Sequence, residues 1–377
     1  MKIHYLPLEG YRERYTEQLQ RWTISGLSRS PRAVVRVIQG TTLTDEVNTG
    51  SVLDAYGRCY FGATQIAALV KALQEQHLAQ NDVIYLDDMF TPGFSAIPYI
   101  LEQLPRQFRP RIYVRNHAQS VDPDDFTFNM RRWMRHYEQM VHHAESVTVL
   151  CSSTAHKEMM RAACLEGDIR VVGHVYDSQD VLSTVEGAPV PWRSRGRKVI
   201  YSSRLDAEKQ PHFFMDVVER TRALGRDIEF VVCTGSSEVK STDATALARL
   251  RGLEEQGAVL IKRKCTKPEY YGHLASSRVQ LNTAKQDFVS YTALEASTFS
   301  THTLAPAFRS FPEALRNDRD HLFVPWSVED AVDKLVALVD GDATPDVGWL
   351  ARTHSGTADR ILDLMYGREI KNWWELP

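Results

Sequence analysis

The sequence predicts an α/β chain built as two units, and two observations carry that prediction. Short apolar, β-branched runs alternate along the chain with longer amphipathic stretches, the pattern of parallel strands joined by crossover helices. The 377 residues, 43% of them hydrophobic, are long for one hydrophobic core and comfortable as two.

In the first half, strands are expected near residues 33–37, 83–86, 112–114, 147–150 and 170–172, with helices over 64–76 and 128–143. Residues 186–197 hold prolines, glycines and charges without periodicity and read as a linker between a first domain, 1–185, and a second, 198–345. The second domain offers strands near 199–202, 229–233, 259–262, 279–282 and 301–305. A tail over 346–377 has helical spacing at 359–366 and ends in Trp373 and Trp374. It is expected to dock one face on whichever domain lies near.

Lys and Arg total 45 against 48 Asp and Glu, a net charge of -3, so a nucleic-acid partner would have to be met by a local patch. Cys59, Cys151, Cys164, Cys233 and Cys265 form no CxxC pair and leave an odd one, which fits reduced, buried, inert thiols in a cytoplasmic protein. No apolar run is long enough to span a membrane, and Met1-Lys2-Ile3-His4-Tyr5 lacks the features of a leader peptide. No metal site is expected: His-Glu-x-x-His is missing, and His136, His142 and His143 lie on a predicted helix without a cysteine or carboxylate set. A GxSxG elbow and a Gly-Lys-Ser/Thr phosphate loop are also missing.

Two segments carry chemistry. In Ile200-Tyr201-Ser202-Ser203-Arg204-Leu205-Asp206-Ala207-Glu208-Lys209, an apolar strand runs into a loop with two cations and then a helix. Strand ends in doubly wound sheets aim their loops at the ligand crevice, a guanidinium binds phosphate oxygens in pairs, and an ammonium adds a point charge. On residues alone, Arg204 and Lys209 also fit a surface ion-pair pattern. In Gln286-Asp287-Phe288-Val289-Ser290-Tyr291-Thr292-Ala293-Leu294-Glu295, seven residues separate two carboxylates across a strand-to-helix transition. Such a pair can accept bonds from sugar and ribose hydroxyls, although on residues alone a solvated Asp and a helix-surface Glu are the safer reading.

Taken together, these segments resemble the retaining glycosyltransferases of the GT-B fold, sequence family 4. Ser203-Arg204-Leu205 with Glu208-Lys209 is similar to that family's Gly-Arg-Leu…Glu-Lys-Gly motif, Asp287 to Glu295 to its Glu-x7-Glu motif, and Phe311-Pro312-Glu313 to its Gly-Leu-Pro-Glu. Residues 270–279 resemble the helix that precedes the family's sugar-gripping loop, so the likeness covers about 198–324. The sequence departs from the pattern at Asp287 (Glu in the family), Ser203 (Gly) and Ser300-Thr301-His302 (Gly-Thr-Pro). The resemblance implies two Rossmann-like domains facing across a cleft. It also implies a UDP-sugar donor bound without a tightly held cofactor: Glu295 on the ribose, Asp287 on the sugar, Arg204 and Lys209 on the diphosphate, and Phe288 and Gly235 beside them. Retention by front-face attack needs no protein nucleophile.

In the first domain, Ile112-Tyr113-Val114-Arg115-Asn116-His117 ends a strand where the family keeps a histidine. The resemblance places His117 by the transferred hexose, with Asn116 and Asp122 as lesser candidates; an ordinary loop histidine is the alternative. The family's glycine-rich loop is replaced by Leu6-Pro7-Leu8-Glu9-Gly10-Tyr11, leaving Glu9 and Gly10 as acceptor-side candidates or a simple turn. The stretch Arg131-Arg132-Trp133-Met134-Arg135-His136-Tyr137 resembles phage enzymes that glucosylate hydroxymethylated DNA bases, arginines suiting phosphate and aromatics an extruded base. An amphipathic helix with a charged outer face and a buried aromatic side is the other reading. The leading expectation is a transferase acting on modified DNA, such as phage DNA in a host cytoplasm, or on another hydroxylated acceptor in the cytoplasm, with a polysaccharide or lipid-linked acceptor, or a non-catalytic sugar-nucleotide-binding protein, as the alternatives.

Overall fold

The computed structural model describes residues 1–11, 15–43, 55–75, 79, 81–185, 190–241, 243–285, 287–342 and 348–375. Gln76, Gln286, residues 186–189 of the expected linker, and 346, 347, 376 and 377 of the tail lie outside them. The chain divides into two compact units, residues 1–175 with 356–377, and residues 176–355.

The first unit is a parallel sheet of β1 (Lys2–Leu6), β2 (Val34–Val37), β3 (Val83–Leu86), β4 (Arg111–Arg115), β5 (Val147–Cys151) and β6 (Asp168–Val171), in the order β2-β1-β3-β4-β5-β6. The second carries β7 (Lys198–Tyr201), β8 (Glu229–Cys233), β9 (Leu260–Lys262), β10 (Val279–Leu281), β11 (His302–Pro306) and β12 (Leu322–Phe323), in the order β12-β11-β10-β7-β8-β9. All strand pairings among the described residues are parallel. The α/β prediction with two Rossmann-like units therefore holds.

The central strands read Val-Ile-Tyr-Leu in β3 and Val-Gln-Leu in β10 and are buried at every residue, as strands covered on both faces must be. In each sheet the order reverses beside the first strand, between β1 and β3 and between β7 and β10. Ligands of doubly wound sheets bind outside the carboxyl ends of the strands at such a reversal.

β1 and β12 add to the strands expected from sequence. β1 holds a lysine and a histidine, and β12 is two residues long, so neither shows a readable apolar run. The helix expected over 128–143 begins at Arg131, after a 3-10 turn Phe126–Met130 whose start Asp125 caps through Thr127. Its buried residues are Met134, Glu138, Val141 and His142, while Trp133 is 57% exposed. The expected buried aromatic side is thus an aliphatic and polar one, because Trp133 lies off the stripe that those four residues define.

The expected tail divides, its helix Gly348–Ser355 belonging to the second unit and its residues from 356 on to the first. Its helix Thr357–Met365 packs on the helix Tyr15–Leu27, Arg360 Nη2 donates to the Val172 carbonyl at 2.9 Å, and the buried Trp373 donates to the Ser152 carbonyl at 2.8 Å. The described part of the expected linker is packed within the second unit. Trp192 and Arg195 are buried, and Arg195 donates to the carbonyls of Ser277 and Phe299 at 2.9 and 2.6 Å.

Candidate functional site

The loop after β7 is shaped by its own backbone. A 3-10 turn Ala207–Lys209 ends at Gln210, which takes the left-handed conformation (φ 50°), and Pro211 then starts the helix Pro211–Ala223 with its fixed φ. The loop is held to the β10 loop from both sides. Thr283 Oγ1 donates to the Lys209 carbonyl at 2.6 Å, the buried Tyr201 hydroxyl donates to the same carbonyl at 3.1 Å, and the Lys285 amide donates to the Glu208 carbonyl at 2.8 Å.

Arg204 forks between two carboxylates, Nη1 to Asp206 at 2.9 Å and Nη2 to Glu208 at 2.7 Å, while 58% of its side chain stays exposed. Its remaining N–H donors are therefore within reach of a ligand. Lys209 Nζ lies 3.7 Å from Asp287 Oδ2, too long for a direct hydrogen bond, with both side chains mostly buried. The structure thus brings Lys209 and Asp287 together across the β7 and β10 loops. Phe288 is buried beside Asp287, and Ser310 Oγ donates to the Asp287 carbonyl at 2.6 Å, fixing the turn.

Glu295 sits in the helix Tyr291–Thr298 and is 5% exposed. Its oxygens accept from Tyr270 Oη at 2.8 Å and Tyr271 Oη at 3.0 Å, and Lys267 Nζ stands 3.5 Å away. This corrects the helix-surface alternative: Glu295 is a buried, satisfied carboxylate. The sequence reading noticed the helix that carries Tyr270 and Tyr271 but not that its phenols face Glu295. Gly235, past the end of β8, lies where an added Cβ would meet only the Cys265 carbonyl, at 3.7 Å.

In the first unit, the sequence-predicted residues follow the ends of β1 and β4. His117 Nε2 donates to the Asp87 carbonyl at 2.7 Å, the ring stacks on His174 at 5.9 Å, and burial followed by the Arg115 charge lowers its pKa to about 4. His117 is therefore a neutral imidazole whose Nδ1 is an acceptor. Asp87 itself was not anticipated. It accepts a short bond from the Tyr5 hydroxyl, and burial raises its carboxyl to about 6.

Asn116 is structural: Oδ1 accepts from the Ala118 amide at 3.0 Å and Nδ2 approaches Met160 Sδ at 3.2 Å. Asp122 is likewise turned inward, capping the Asp124 amide at 3.0 Å. Glu9 is 4% exposed, and neither carboxylate oxygen has a hydrogen-bond partner among the described residues. Gly10 is exposed and sterically unforced, a Cβ there meeting nothing nearer than Gln20 Oε1 at 3.4 Å.

The arginine-rich stretch also forms a pocket. Ser120, Phe128, Arg131, Arg132, Arg135 and His136 line a cavity of about 510 Å³, with the Arg131 guanidinium 4.1 Å from the Phe128 ring centre. The thiols depart from expectation. Cys151 alone is buried; Cys59 and Cys164 are exposed, and Cys233 and Cys265 half-buried. Against the expectation of no metal ligand set, Cys233, Cys265 and His273 converge in the second unit.

No protein-family model matches the sequence, and no curated protein matches it. Solved structures do. Sucrose-phosphate synthase from Thermosynechococcus elongatus aligns with a TM-score of 0.67 at 12% identity, over 97% of this chain and 98% of its own. A glycosyltransferase from Rickettsia africae ESF-5 aligns with 0.64 at 12%, over 97% and 98%. S. aureus TarM aligns with 0.57 at 13%, over 83% of this chain and 59% of its own, so this chain spans 59% of that protein's length. These neighbours are GT-B glycosyltransferases, and at such identities the shared property is the fold.

Proposed function

We propose that this chain is a glycosyltransferase that moves a hexose, glucose first among them, from a UDP-sugar to a hydroxyl acceptor with retention of anomeric configuration. One positional observation carries the reading. The two loops with paired cations and carboxylates leave β7 and β10, the strands at which the second sheet reverses its order. A fold alone would not put those residue types there. The structures of TarM and of a pneumococcal O-GlcNAc transferase contain UDP, which supports the choice of donor.

In this reading the exposed side of Arg204 and the Nζ of Lys209 bind the diphosphate, Asp287 takes the sugar and Glu295 the ribose, with Phe288 and Gly235 lining the donor. Lys209 serves twice, because the ammonium that meets phosphate also holds Asp287. The C1–O bond to the phosphate breaks as the acceptor oxygen bonds to C1 on the same face, and the acceptor proton passes to the departing phosphate oxygen. Negative charge grows on that oxygen, so fixed cations lower the barrier without a metal. The neutral imidazole of His117 is suited to accept from a sugar hydroxyl through Nδ1. Glu9, a buried carboxylate with unfilled acceptors, is suited to an acceptor hydroxyl, with Gly10 beside it; the inward bonding of Asn116 and Asp122 suits them to support.

The acceptor is assigned as hydroxymethylated DNA. The arginine-lined cavity beside Phe128 and the exposed Trp133 fit phosphates and an unstacked base. An anionic lipid-linked acceptor would use the same charges.

The test is to incubate the protein with UDP-, GDP- and ADP-sugars, with and without hydroxymethylated DNA, following nucleotide release and sugar on the DNA, with Arg204→Ala as control. Transfer that requires the modified DNA and is lost in the variant establishes donor and acceptor. Donor hydrolysis alone removes the DNA acceptor. Binding without turnover makes the chain a sugar-nucleotide-binding protein, and no binding at all overturns the reading.

A further inference from the structure

Beside the donor-side loops lies a second constellation that the transfer reaction does not use. Cys233 ends β8, Cys265 follows β9, and His273 lies on the helix Lys267–Ser276. One ligand atom from each falls within 4.8 Å of the others, and all three residues are half-buried. Cys265, Glu269 and His273 follow one another at a spacing of four, which sets Glu269 and His273 on one helical face and Cys265 just before it.

We propose that Cys233, Cys265 and His273 form a binding site for a thiolate-preferring divalent cation, zinc in the first place. Two sulfurs and one imidazole are the donor set such an ion selects, and a tetrahedral zinc holds these atoms roughly 3.4–3.8 Å apart, given bond lengths of about 2.0–2.3 Å. The three ligand atoms lie within 4.8 Å of one another without an ion, close to that spacing. Glu269 is held in the capping box with Thr266, its carboxylate accepting from the Thr266 amide at 2.8 Å, so water completes the fourth position.

The site joins β8, the loop after β9 and the helix carrying Tyr270 and Tyr271. A bound ion would therefore brace the two phenols that grip Glu295. The ion is a structural tie here and takes no part in group transfer, so the proposal stands or falls independently of the transferase reading.

Cobalt is the probe. The full chain, carrying Cys59→Ser and Cys164→Ser to remove the exposed thiols, is stripped by chelator under reducing conditions and titrated with Co²⁺. The expected result is one equivalent bound, with sulfur-to-cobalt charge transfer and the intense visible bands of tetrahedral cobalt, displaced by Zn²⁺. Cys233→Ser and Cys265→Ser should each abolish the charge-transfer signature, and His273→Ala should weaken binding by about 10-fold or more. Circular dichroism on each variant confirms that it is folded. A reduced, folded protein that shows no thiolate–cobalt band overturns the site. So does a band that survives Cys233→Ser. Loss of two thiols to a disulfide on mild oxidation, with no metal bound by the reduced protein, also overturns it and makes the pair a redox couple.

Discussion

Arg204 and Lys209 carry the same formal charge in different settings, and they should fail differently when removed. Arg204 is shared by Asp206 and Glu208, so Arg204→Ala leaves two carboxylates facing the position given to the diphosphate. Turnover should fall by about 10²–10³-fold, and the donor KM should rise as well. Lys209→Ala should lower kcat similarly and also release Asp287, which steady-state kinetics with two donor sugars would reveal as lost discrimination. His142 tests burial without chemistry. It is 3% exposed, and neither ring nitrogen has a hydrogen-bond partner among the described residues. His142→Leu should therefore raise stability by roughly 1–2 kcal/mol at pH 7, read as a higher urea midpoint. A midpoint that drops would show that the imidazole is satisfied after all.

At the scale of elements, the helix Lys267–Ser276 depends on its start. Thr266 accepts from the Glu269 amide while Glu269 reaches back to the Thr266 amide, so Thr266→Ala should cost about 1 kcal/mol and slacken Tyr270 and Tyr271. In the first unit, a Cβ added at Gly26 would stand 2.4 Å from the Ala358 Cβ. Gly26→Ala should cost roughly 1–3 kcal/mol in thermal denaturation by pushing the terminal helix outward. Periodicity and β-branched runs made most strands and both sheets legible, because burial on both faces of a parallel sheet writes itself as apolar runs. Lys2–Leu6 escaped because its buried residues include His4, and Leu322–Phe323 because two residues carry no period. The candidate site was legible where loop order and spacing carry it, at Arg204, Lys209, Asp287 and Glu295. It was not legible where partners come from distant sequence: Asp87 beneath Tyr5 and His117, the phenols around Glu295, and the meeting of Cys233 with His273.

The whole molecule holds several buried histidines in the neutral form, with consequences for acid stability. Burial lowers His117 and His142 to about 4 and His302 to about 3, and for His302 the neighbouring His321, 2.7 Å away, adds to the effect. A depressed folded pKa contributes stability that is present above the unfolded value and lost as pH falls through the folded one, roughly 2 kcal/mol per histidine between pH 6.5 and 5. Asp87 and Asp125 oppose this in the first unit. Burial raises both to about 6, so their contribution is full below the unfolded carboxylate value and lost as pH rises through 6. In residues 176–355 His302 and His273 are both held below the usual imidazole value by burial, and no carboxylate there is resolved as raised, so that unit should weaken on acidification. Urea midpoints at pH 7 and 5 should converge in His302→Gln; an unchanged gap would refute the account. The return of residues 356–377 to the first unit also sets an order of events during synthesis. Residues 1–175 are made first, yet they lack the helix Thr357–Met365 and the buried Trp373 until residues 176–355 have been made as well. A released chain ending at residue 355 should therefore hold every residue of the second unit and an unfinished first unit that chaperones and proteases can still engage.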